Sequence, residues 1–154
     1  MGPASHMMPP MRRLFGSSDS QIHLGLLVLR LGIGAAFMAH GIPKLRMGPE
    51  GWTQIGQAVG QLGVHSGYQV FGLLAGLAEA VGGLLLVLGL FTRLACIPML
   101  FTMVVAITGH ISGGEGFQGA AHAIEDGVVF LTLLITGAGR YSVDAKLAGP
   151  PSWS

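Results

Sequence analysis

The chain has 154 residues, 51% hydrophobic and 10% charged, with 26 glycines, a net charge of +1 and a mean hydropathy of +0.64. A soluble domain is about 25% charged, so this composition excludes a nucleic-acid binder, which needs dense Lys and Arg, and a disordered chain, which needs low hydrophobicity and high net charge. The single cysteine, Cys96, makes no intrachain disulfide, and what remains is a small one-domain integral membrane protein.

In chain order, residues 1–7 (Met-Gly-Pro-Ala-Ser-His-Met) read as a cloning scar ahead of a natural start at Met8. Residues 8–22 read as a cytoplasmic segment, 23–145 as the transmembrane domain and 146–154 as a cytoplasmic tail. A spanning helix needs about 20 mostly apolar residues. Four stretches qualify, at 23–42, 68–91, 94–111 and 117–138. The first has Arg30 inside it and no small-residue cleavage site after it, so it reads as a retained anchor.

Between the first two spans lies the longest loop, 44–66. Trp52, Ile55, Val59 and Leu62 recur at helical spacing, with Gln54, Gln57 and Gln61 between them. This is a short interfacial helix, either a lid on the bundle or a segment resting on headgroups. Thr92 and Arg93 are read as the tight turn between the second and third spans. Arg12, Arg13, Arg93, Arg140 and Lys146 fall on one side, Lys44 and Arg46 on the other. That asymmetry places both termini in the cytoplasm. The expected fold is therefore all-α: a transmembrane four-helix bundle in the plasma membrane, termini inside, with an interfacial helix in the first outer loop.

Small residues line two helix faces. Arg30, Gly34, Phe37 and Gly41 form one stripe; Gly72, Gly76, Glu79 and Gly83 form another. Such stripes let helix backbones approach closely. Gly72 and Gly76 are also the candidate contact for a homo-oligomer. Arg30 and Glu79 are placed at one depth and paired, because an unpaired charge at the bilayer centre is costly and guanidinium grips carboxylate bidentately.

Further titratable groups collect in the outer half: His40, His110 and His122 from three different helices, Glu125 and Asp126 on the side of His122, and Lys44. Four readings compete. One is a quinone headgroup site, with Glu79, His40 and Arg30 as candidate catalytic residues and Lys44, His110, His122, Glu125 and Asp126 as ligand-binding ones. Another is an iron or zinc site, for which His40, His110 and His122 are the candidate ligands. A third is a proton or small-ligand path. The fourth is a polar network that only stitches helices together. Cys96, Met38, Met99 and Met103 read as core fillers.

Three groups of residues resemble the DoxX family of small four-helix membrane proteins. The first is Leu29-Arg30-Leu31-Gly32 with His40-Gly41-Ile42-Pro43-Lys44-Leu45. Next comes Glu79-Ala80-Val81-Gly82-Gly83-Leu84-Leu85-Leu86 with Gly89-Leu90-Phe91-Thr92-Arg93, and last Gly137-Ala138-Gly139-Arg140-Tyr141-Ser142-Val143-Asp144. Ala138 departs from a proline frequent in the family. The resemblance implies a four-helix bundle in a bacterial or archaeal plasma membrane and a link to redox processes: quinol oxidation, thiosulfate oxidation or oxidative-stress complexes. The matching site residues are Arg30, His40, Lys44, Glu79, Arg93 and Arg140. No electron carrier is evident in the chain, so a partner redox subunit or a metal would supply one. The competing expectations are a non-catalytic anchor that docks a redox enzyme through Arg93, Arg140 and Lys146, and a small-solute or proton carrier.

Overall fold

The computed structural model describes residues 18–149. The expected scar at 1–7, Arg12 and Arg13, and the last five residues lie outside the described residues. Helix α1 (Asp19–Arg46) opens on a capping box: Ser18 Oγ accepts from the Gln21 amide, and Gln21 Oε1 accepts from the Ser18 amide. These bonds satisfy amides that have no partner inside the helix. The helix runs through Pro43 and ends with Lys44 and Arg46, which suit the negative end of its dipole. The loop that follows holds α2 (Gly48–Gly56) and a 3₁₀ turn (Gln57–Leu62). Then come α3 (Tyr68–Leu88), α4 (Thr92–Ser112), α5 (Gly116–Thr136) and the short α6 (Val143–Ala148).

The helices α1, α3, α4 and α5 are each long and apolar enough to cross a membrane, and no strand occurs among the described residues. Their outward faces carry large apolar side chains, such as Val28, Leu94 and Ile135, all more than 60% exposed. Facing lipid, this surface needs no cover. The protein is a multi-pass membrane protein.

Both small-residue stripes are buried as the spacing predicts. The buried residues of α1 are Arg30, Gly34, Phe37 and Gly41. A Cβ on Gly34 would sit 2.6 Å from the Gly83 carbonyl oxygen, and one on Gly83 the same distance from that of Gly34. Only glycine lets the two backbones approach this closely. Helix α4 packs mainly on α5, and α3 joins the two pairs. The backbones of α1 and α5 stay apart and meet through side chains, Phe37 edge-on to Phe130 at 4.8 Å between ring centroids. The core gathers around Leu86, Cys96, Met99, Phe130 and Leu133. Cys96 is fully buried there, as a small hydrophobe.

Three expectations are corrected. Helix α1 extends past residue 42, because the proline sits where its missing amide leaves only an exposed turn unpaired. The α3–α4 turn is 89–91, not 92–93: Gly89 turns left-handed at φ 65°, and Thr92 already begins α4. Gly72 and Gly76 do not face a second copy. A Cβ on Gly72 would overlap the Trp52 carbonyl, and Gly76 packs on Leu45. Their close approach serves the 48–62 loop and the end of α1. That loop is folded onto α3 and α4, with Val59 buried and Gln54, Gln57 and Gln61 exposed.

Candidate functional site

Charge is buried at opposite ends of the bundle. At the end where α1 begins and α6 lies, the terminal end, Arg30 is fully buried. Its Nη1 donates to the Leu86 carbonyl at 2.9 Å and to that of Val87 at 3.5 Å; its Nη2 donates to the Tyr141 carbonyl at 2.7 Å. The guanidinium thus caps the C-terminus of α3, where carbonyls lack intrahelical partners and the helix dipole is negative. It also ties down the segment after α5. Asp144 answers from that segment: its carboxylate accepts from the Phe91 amide at 2.7 Å and the Thr92 amide at 3.0 Å, while its own amide donates to the Gly89 carbonyl. Those bonds hold Phe91 in the left-handed region at φ 48°, which a bulky residue rarely adopts. Arg93 donates to the Ile135 carbonyl at 3.1 Å, and Arg140 lies 5.6 Å from the centre of the Tyr141 ring. A recess of about 440 Å³ opens beside this knot, lined among others by Phe91, Arg93, Gly137 and Asp144.

At the loop end, Glu79 is 4% exposed. Its Oε1 accepts from Lys44 Nζ at 2.6 Å. Glu79 Oε2 is buried with no partner among the described residues. Three features put the pair there. Gly41 packs against Ala80 and the Cβ of Glu79, drawing the last turns of α1 onto α3. Continuing α1 past Pro43 brings Lys44 round to the carboxylate. Trp52 Nε1 then donates to the Lys44 carbonyl at 3.0 Å, locking the loop over it.

The Arg30–Glu79 pair expected from the sequence does not form. Gly34 packs beside Val87 and Gly41 beside Ala80, so the antiparallel register puts Glu79 level with residue 42. Arg30 is twelve residues away, about 18 Å along the axis at 1.5 Å per residue. The midpoints of the two hydropathic runs suggest equal depth, but they do not set the register. Helix α1 has 28 residues against 21 in α3, and its surplus overhangs the terminal end.

The outer cluster is only partly assembled. His110 is bonded to Glu115 at 2.9 Å, in the turn before α5. His122 points outward with Glu125 at 3.8 Å. Asp126 is half-buried, and His122 and His40 are the imidazoles within its electrostatic reach. No group of three His, Cys, Asp or Glu side chains placed to hold a metal ion occurs among the described residues. His40, His110 and His122 therefore do not form a ligand set. Sequence reasoning missed the Leu86, Val87 and Tyr141 carbonyls as the partners that make Arg30 structural, and Asp144 as the cap beside them. The signal was present: the Arg30, Gly89–Arg93 and Arg140–Asp144 stretches that carry the resemblance meet at this one knot.

Four apolar helices, one buried arginine anchor and a loop-end ion pair define a small polytopic membrane protein of the four-helix kind. The DoxX family model matches residues 25–111, more than half of the chain, and the protein belongs to the DoxX family. An uncharacterized membrane protein of Mycobacterium tuberculosis is 34% identical over 142 aligned residues, covering 80% of this chain and 81% of that protein. An uncharacterized protein of Haemophilus influenzae is 33% identical over 127, covering 79% and 89%. No solved structure matches the chain.

Proposed function

We propose that the protein is a redox-linked membrane component that takes a quinone-like headgroup at the loop end, against Glu79 and Lys44. One observation carries the reading: a buried carboxylate oxygen, Glu79 Oε2, has no partner while Lys44 holds the other. A buried acceptor left unmade is expensive, and a site for a hydroxyl or carbonyl ligand would use it. A quinone would supply two-electron, two-proton chemistry. The chain supplies the rest. Glu79 Oε2 accepts a hydroxyl hydrogen and holds the proton. Lys44 holds the other carboxylate oxygen and offers a donor to a carbonyl. His40, with Asp126 and His122 near it, leads protons toward the loop surface. Arg30 has no part in this, and a partner subunit takes up the electrons as the hydroxyl protons leave.

Trp52 lies beside the pair, so quenching of its fluorescence by a short-tailed quinone reports binding. Glu79→Gln and Lys44→Met should each weaken binding about tenfold, ~1.4 kcal/mol, with the fold retained. Unchanged affinity in both well-folded variants would refute the assignment.

A further inference from the structure

Helix α5 shows a charged face where a bilayer tolerates none. The side chains of His122 and Glu125 are 97% and 74% exposed, with Nδ1 and Oε2 3.8 Å apart. At 1.5 Å per residue from Gly116, Glu125 lies about 14 Å along a helix about 30 Å long. That is close to the middle of α5, and charged groups midway along a spanning helix face a partner rather than lipid. Asp126 follows, half-buried. Across the seam, α1 offers exposed His40, and the same side of α1 carries Ala36, Gly32 and Gly25 at helical spacing, all exposed. Around Gly25 and Gly32 there is open space.

We propose that this α1–α5 face is covered by a second copy of the chain, in a dimer with its two-fold axis along the membrane normal. Complementarity of imidazole donors to carboxylate acceptors selects the occupant. The face carries two imidazoles and two carboxylates at neighbouring depths, so it is complementary to itself. A two-fold along the normal preserves depth, and His122 of one copy then lies within about a turn of Glu125 of the other. An isologous contact of this kind uses the same patch twice. Gly25, Gly32 and Ala36 let the α1 backbones approach. Gly72 and Gly76 are already spent inside the chain.

The test is cysteine cross-linking of the full chain in its own membranes, with copper-phenanthroline as oxidant. Cys96 is fully buried and stays silent. Reporters are Gly32→Cys and Thr132→Cys, the latter exposed and two turns below Glu125; Leu74→Cys on exposed α3 surface is the control. At least one reporter should give a band at twice the chain mass, and the control none. Adding Gly32→Leu to Thr132→Cys should cut that band about tenfold, because a single chain has room for the leucine there. Failure of both reporters to cross-link, or their capture of a different protein in place of a second copy, would overturn the proposal. Quinone binding does not enter this readout, so the two proposals fail separately.

Discussion

The two ends of the bundle bury charge in different ways. At the terminal end, Arg30 and Asp144 address backbone: three carbonyls for one, two amides for the other. Arg30 Nε is unpartnered there, but it is one donor of five. At the loop end, Glu79 addresses a side chain, Lys44, which is one-third exposed, and half of the carboxylate has no partner. Backbone partners cannot move away, so the terminal knot is a structural clamp. A half-used carboxylate beside a partly exposed ammonium has capacity left for a ligand. Burial of a charge in a membrane helix therefore does not by itself indicate function; the identity of its partners separates the two cases.

The sharpest way to break this comparison is Arg30→Met. It removes a cation from three carbonyls, one buried and two part-buried, each bond to a charged group being worth about 1.5–3 kcal/mol. A loss on the order of 4 kcal/mol is expected after partial relaxation, read as a large fall in the unfolding midpoint in detergent. Arg30→Lys should recover little, since a single ammonium cannot reach both helix end and tail. A stable Arg30→Met protein would show that the clamp reading is wrong. Next in size is Gly72→Val, whose Cβ would overlap the Trp52 carbonyl. Overpacking costs about 1–3 kcal/mol, and here it lifts the 48–62 loop off α3. The check is limited proteolysis: cleavage should appear between residues 47 and 67 in the variant alone.

Much of the fold was legible because helical spacing is a local property. The stripe of Arg30, Gly34, Phe37 and Gly41 is the buried face of α1, and the alternation of Trp52, Ile55 and Val59 with glutamines marked the loop helix. What spacing cannot carry is the register between helices. Moving α1 along α3 by twelve residues changes no periodicity, yet it decides whether Glu79 meets Arg30 or Lys44. Lys44 was legible as a site residue, but its partner was not. The three histidines share a depth range, yet depth says nothing about azimuth, and His110 and His122 end up in separate contacts.

Asp144→Ala is a milder test of the terminal end. It removes a capping carboxylate from α4 while leaving Arg30 in place. Loss of a helix cap costs about 1 kcal/mol, and release of Phe91 from its left-handed turn adds to the effect. A fall of about 1–2 kcal/mol in stability is expected, with quinone-dependent quenching of Trp52 unchanged. Altered quenching would mean that the two ends communicate.

The smallest effect is expected at His110. Its bond to Glu115 joins side chains that are 41% and 60% exposed, and exposed pairs of this kind contribute about 0.2–1 kcal/mol. His110→Ala should therefore shift the unfolding midpoint barely beyond error and leave quinone affinity where it was, because Glu115 holds His110 in the turn away from Glu79. The same experiment discriminates against the histidine cluster that depth alone suggested. Were His110 part of one network with Glu79 and Lys44, its removal would orphan a buried partner and cost as much as Glu79→Gln. A small effect at His110 beside a large loss of binding at Glu79 would confine the working part of the loop end to the ion pair and its immediate neighbours.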